Sequence, residues 1–230
     1  MPEELLEPHF TSSDIVRDII IGMSDGLTVP FALAAGLSGA VSTTTLIVIA
    51  GLSEIAAGSI SMGLGGYLAG QNDLEHYNSE ERKEYREIEV VPHQEKQEVI
   101  DIFKGYGLDD KAIAPIITTF EKDPKKWVDF MMRNELNLDK PDSTRARNSG
   151  ITIALSYLVS GFVPLSPYIF IRNSHIALFV SVSVTLLALI IFGYVKAKLI
   201  GNNPWQSAWR TALTGSLAAG AAYLIAKSIA

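Results

Sequence analysis

Cysteine is absent from all 230 residues, which excludes a disulfide framework, thiolate metal ligation and a cysteine nucleophile. A metal site in this chain is therefore limited to oxygen, imidazole or thioether donors. Charge is scarce as well. Charged residues make up 19% of the chain, against about 25% in an ordinary soluble domain, and most of them fall between Asp73 and Arg147. No basic patch dominates and the net charge is −6, so nothing supports nucleic-acid binding. No phosphate-binding loop or nucleophile motif is present, which argues against an enzyme and against ATP-driven pumping. The four histidines (His9, His76, His93, His175) form no metal-spaced pair. The paired Glu-x-x-His of di-iron bundles is missing too. No β-type alternation and no internal repeat is visible. The opening segment, Met1 to Phe10, is acidic (Glu3, Glu4, Glu7) and lacks the basic start and short apolar core of a cleavable signal peptide. The first apolar stretch is thus expected to stay in the mature protein.

Long apolar runs make up most of the rest, at 48% hydrophobic residues. Five are long enough to cross a bilayer, which takes roughly 20 apolar residues as helix: about 15–39, 43–70, 150–171, 175–200 and 205–229. The first two are joined by a short turn and form a helical hairpin. Arg145 and Arg147 precede the third span, Lys196 and Lys198 end the fourth, and Arg210 opens the fifth. The opposite loops hold only Arg172. By the positive-inside rule the N-terminus and the polar insert are cytosolic and the C-terminus lies on the far side. Trp205 and Trp209 read as interfacial anchors. The small-xxx-small pattern at Gly215 and Ala219 reads as close helix contact.

The organisation predicted is all-α: residues 1–71 with spans one and two, a helical insert over 72–148, and spans three to five over 149–230. No Gly or Pro lies between Gln71 and Val91, so the second span is expected to continue without a break into the insert. Val91-Pro92 ends that helix. Further helices are expected over about 94–106, 109–120 and 124–136.

Ionisable residues inside spans are costly, roughly 2.5–3.5 kcal/mol each at a helix centre, and are usually functional. Asp25 sits in the first span and Glu54 in the second. Met62 follows Glu54 by eight residues, about 12 Å along the axis and about 80° round it, on one broad face. Two carboxylates and a thioether facing a common interior form a graded path for a cation. The sulfur favours late first-row ions over Mg²⁺ or Ca²⁺. A carboxylate desolvated there can also hold a proton when no cation is bound, so metal–proton exchange is physically natural. The alternative is a hydrogen-bonded acid, or a packed methionine, that only locks the helices together.

The insert carries a second constellation. Glu80, Glu84 and Glu87 share one helix face, Glu95 and Glu98 lie one turn apart on the next, and Met131, Met132 and Glu135 cluster near its end. Packed together, these groups would bind a metal. The competing reading is a solvated face neutralised by Arg82, Lys83, Arg86 and Lys96. Tyr157, in the third span, is placed to donate to a path-lining carboxylate or simply to pack.

The run Arg17-Asp18 through Ser24-Asp25-Gly26-Leu27-x-x-Pro30-Phe31-Ala32-Leu33-Ala34-Ala35-Gly36-Leu37-Ser38-Gly39-Ala40 resembles the first span of the vacuolar iron transporter family. The run Ala50-Gly51-Leu52-x-Glu54-x-Ala56-x-Gly58-Ser59-Ile60-Ser61-Met62-Gly63-x-Gly65-Gly66-Tyr67-Leu68 resembles its second span. The likeness covers essentially the whole chain, and the insert is most similar to that of plant members. The resemblance implies a homodimer of five-helix subunits in the vacuolar membrane that loads Fe²⁺ into the vacuole in exchange for lumenal protons. It implies that Asp25, Glu54 and Met62 line the path at the dimer interface, with Tyr157 as an addition. It further implies a cytosolic metal site of Glu84, Glu87, Glu95, Glu98, Met131, Met132 and Glu135, with Glu80 or Glu81 nearby. No tightly held cofactor is expected. Two other readings remain at this point: a membrane-anchored metal buffer or sensor, and a Mn²⁺-preferring transporter of the same mechanism.

Overall fold

A computed structural model describes residues 14–230, so Glu3, Glu4, Glu7 and His9 lie outside the described residues. The chain is all-helical: α1 (Asp14–Ala40), α2 (Thr44–Val90), α3 (Pro92–Gly105), α4 (Asp110–Lys122), α5 (Pro124–Asn134), α6 (Arg145–Phe170), α7 (Ser174–Ile200) and α8 (Pro204–Ile229). Helices α1, α2, α6, α7 and α8 are each long and apolar enough to cross a membrane. The shortest has 26 residues, or about 40 Å at 1.5 Å per residue, which exceeds the ~30 Å hydrocarbon core. As the missing Gly and Pro predict, α2 runs 47 residues without interruption. It stops where Pro92 takes the first position of α3, because proline there needs no hydrogen-bonded N–H and disfavours helix in the residue before it.

The chain divides into two compact units, Met1–Leu68 with Ala146–Ala230, and Ala69–Arg145. In the first, α1 packs on α7 and α8, and α7 on α8. Small side chains make this possible. Ala208, Ala212, Gly215 and Ala219 form the buried stripe of α8, and a Cβ at Gly215 would collide with Leu189 of α7. The small-xxx-small pattern at Gly215 and Ala219 thus serves packing within the chain. Trp205 and Trp209 stay largely exposed, and Trp205 sets its edge against the Tyr194 ring at 5.3 Å. Both indoles stand in the opening turns of α8, at one end of a membrane-length helix.

Two hairpins, α1–α2 and α6–α7, meet in a constant register. The Ser38 and Tyr168 hydroxyls, 130 residues apart, hydrogen-bond at 2.9 Å. The same offset separates Thr43 from Asn173, which form an isolated antiparallel bridge between the two tips. It also separates Ile47 from Ala177, which share one core cluster. At their tips the two hairpins therefore meet position for position. No sequence repeat reveals this, because the positions matching Asp25, Glu54 and Met62 in the second hairpin are Leu155, Val184 and Phe192.

In the second unit, Asp109 caps α4 by accepting from Ala112 N at 2.9 Å, and Asp123 opens α5 with Pro124 at its first position. Two apolar clusters hold the unit together. Tyr77, Val128 and Met132 form one; Val99, Trp127 and Met131 form the other.

Candidate functional site

Inside the bundle, the ionisable residues converge on Tyr157 of α6. Gly22 and Gly26 of α1 flank Asp25 and let α1 lie directly on the α6 backbone. A Cβ on Gly26 would stand 2.9 Å from Tyr157 Cα. From the other side, Gly58 of α2 leaves room for the phenol ring, since its Cβ would stand 2.6 Å from Tyr157 Cζ. One turn away on α2, Glu54 accepts a hydrogen bond from the Tyr157 hydroxyl through Oε1. Its Oε2 is buried with no partner among the described residues. Asp25 is half-buried and close enough to interact electrostatically with the Tyr157 hydroxyl. Pro30 lacks an N–H, so the carbonyl of Gly26, next to Asp25, has no helical donor. Carboxylates from two helices thus act on one phenol, Glu54 by direct hydrogen bond and Asp25 through its charge, a donor set that suits a desolvated cation. Met62 is half-buried further along α2.

Of the two readings open for Tyr157, packing and donation, the structure shows donation. The signal was faint because its partner lies 103 residues away in sequence. Tyr157→Phe is expected to lower metal flux by about 10-fold or more, since a hydrogen bond to a charged group is worth about 1.5–3 kcal/mol. Initial-rate uptake in vesicles measures this, and unchanged flux would reduce the bond to packing.

The second site lies within the insert. Glu84 of α2, Glu95 in the first turn of α3 and Glu135 at the C-cap of α5 each offer a carboxylate oxygen, all within 4.8 Å of one another. Metal–oxygen bonds of about 2.0–2.6 Å let one cation bridge that spacing. Glu84 and Glu95 are each 2% exposed, and their Oε2 atoms have no hydrogen-bond partner among the described residues. Burial, then the charges of Glu135, Glu95 and Glu87, push Glu84 up to about 7. Burial, then Glu98, Glu87 and Glu135, do the same to Glu95, also to about 7. Glu135 rises too, by burial first and then by Glu98 and Glu87; its place at a helix C-terminus adds to the discomfort of its charge.

The cations offered by the sequence do not neutralise this trio by direct contact. Lys83 reaches outward to Glu80 at 3.7 Å and Glu87 at 3.8 Å, and Lys96 pairs with Glu121. Glu98 accepts from Gln94 at 3.1 Å. Glu87 and Glu98 therefore stand at the rim and add negative field, while Glu80 faces the Lys83 pair. Met131 and Met132 are fully buried one turn before Glu135, whose N–H bonds the Met131 carbonyl at 2.9 Å. Both thioethers sit among apolar neighbours, Met131 by Val99 and Trp127 and Met132 by Tyr77 and Val128.

Five membrane-length helices enclosing two carboxylates and a tyrosine, with an acidic helical insert, define a membrane transport protein rather than an enzyme. The chain belongs to the VIT family, whose model matches residues 16–227. It is 52% identical over 223 residues to Vacuolar iron transporter 1 of Oryza sativa subsp. japonica, covering 97% of this chain and 88% of that protein. It is 50% identical to Vacuolar iron transporter 1 of Arabidopsis thaliana, covering 97% and 89%. Protein CCC1 of Saccharomyces cerevisiae is 38% identical over 93% of this chain and 68% of its own length.

Proposed function

We propose that this protein carries Fe²⁺ from the cytosol into the vacuole, in exchange for protons, as a homodimer in the vacuolar membrane. The observation that carries the reading is the junction of Asp25, Glu54 and Tyr157 inside the bundle, in a chain about half identical to proteins named vacuolar iron transporters. Asp25 and Glu54 take the ion from water and return to a protonated state when it leaves, so each transit in one direction moves protons in the other. Tyr157 holds Glu54 in place and stabilises its charged form. Met62 supplies a soft donor along the same helix.

The homodimer is supported by an apolar groove of about 500 Å³ over α1 and α8, lined by Val29, Leu33, Ala222 and others, that also reaches Glu54. A carboxylate at the edge of such a groove is costly against lipid, and a second copy would cover it. Arg17, Lys196, Lys198 and Arg210 cluster at the end where α1 begins and α7 ends, which supports a cytosolic N-terminus and insert. In the insert, Glu84, Glu87, Glu95, Glu98 and Glu135, with Met131 and Met132 beside them, gather metal from the cytosol.

In proteoliposomes with an acidic interior, Fe²⁺ uptake should acidify the outside medium and slow as the pH gradient is dissipated. Uptake indifferent to that gradient would remove the antiport. Absence of flux altogether would favour a membrane-anchored buffer or sensor. Competition between Fe²⁺ and Mn²⁺ in the same vesicles ranks the two ions, both of which these ligands accept.

A further inference from the structure

Away from the cation path, α1, α6 and α7 enclose a second groove of about 660 Å³. Its wall on α1 is Val16, Ile20, Met23 and Leu27, a helical stripe, and the other walls include Val159 of α6 and Ile191 of α7. From Val16 to Leu27 the groove runs about 16 Å. That is half of the ~30 Å hydrocarbon core, the depth of one leaflet. At the end where α1 begins and α7 ends, one charged residue lines it, Lys196. The Lys196 ammonium lies 5.6 Å from the centroid of Phe192, which also lines the groove. No carboxylate pairs with it among the described residues. An apolar slot one leaflet deep, closed at its mouth by a cation that pairs with no carboxylate among the described residues, has the shape and charge to take a phospholipid with an anionic headgroup.

We infer that this groove binds one acyl chain of an anionic glycerophospholipid, with its phosphate on Lys196. A zwitterionic lipid enters the slot equally well but cancels much of the attraction at its mouth. Ser156 and Ser160, on either side of Tyr157, line the same groove, and so does Met23, two residues before Asp25. An occupying chain therefore braces the helices that carry the cation path from behind, and metal flux should depend on the supply of anionic lipid.

The test is native mass spectrometry of the full chain released from bilayers of equal phosphatidylserine and phosphatidylcholine, with flux measured in parallel. Wild type should retain phosphatidylserine in preference, and Lys196→Gln should lose roughly five-fold of that preference, the factor for one interfacial lysine. Val159→Trp, at a site 67% exposed on the isolated chain and hence tolerant of bulk, should exclude both lipids from the slot. Lys198→Gln, whose amine lies over Tyr194 instead, should keep the preference. Equal retention of the two lipids by wild type, or equal losses in the Lys196 and Lys198 variants, would overturn the assignment. Lipid retention is read without transport, so failure of the proposed antiport leaves this outcome intact.

Discussion

Asp25→Asn is expected to abolish metal flux, by about 100-fold or more, while leaving the protein as stable as wild type or slightly more so. The two halves of that expectation have one physical origin. A carboxylate inside a span costs roughly 2.5–3.5 kcal/mol, and its neutral isostere avoids most of that cost. Asparagine fits the same space between Gly22 and Gly26, so the contact of α1 with the α6 backbone survives. It supplies no negative charge to a dehydrated cation and no exchangeable proton, so the transport step fails. An acid present only for packing behaves oppositely, because its removal breaks hydrogen bonds and lowers stability. Vesicle uptake and thermal unfolding of the same preparation separate the two. Loss of both together would assign Asp25 to structure. Glu54→Gln is a useful companion, since its amide oxygen can still accept from Tyr157 and the local geometry is retained.

The membrane spans were legible because hydropathy reports burial in lipid residue by residue, without knowledge of partners. The continuous α2 was legible for a similar local reason: nothing between Gln71 and Val91 breaks a helix, and Pro92 does. What depends on partners was harder to read. Glu80, Glu84 and Glu87 share a helix face in sequence, yet Glu84 alone among them is buried. The choice follows from where α3 and α5 pack, which spacing on α2 does not encode. The salt-bridged alternative was likewise half right. Lys83 does pair with Glu80 and Glu87, and that pairing leaves the inner trio without a direct cationic partner among the described residues. The matching register of the two hairpins left no trace in sequence. Both carboxylates sit in the first hairpin and the second contributes Tyr157 from a different position, so the positions equivalent to Asp25, Glu54 and Met62 are free to be apolar.

Replacing both Glu84 and Glu95 by Gln should weaken metal binding to the insert by about 10- to 100-fold and also remove a pH dependence of stability. The sign follows from the elevated carboxyls. In the folded, metal-free protein both titrate near 7, against about 4.3 for an unfolded glutamate. Between those values the folded state binds more protons than the unfolded one, so stability falls as pH rises through that window and levels off above about 8. After allowance for screening at a site open on one side, the loss is on the order of 1–2 kcal/mol per carboxylate. A metal ion held by the three carboxylates should reverse it by supplying the missing positive charge. Its apparent affinity should therefore drop below about pH 7, where protons compete for the same oxygens. In the double Gln variant the insert should melt at nearly the same temperature at pH 5.5 and pH 8, and at pH 8 above metal-free wild type. Calorimetry with and without added Mn²⁺, which resists oxidation and takes the same ligands, reads all three quantities. A variant less stable than wild type at pH 8 would mean that Glu84 and Glu95 are structural acids and that metal binds elsewhere.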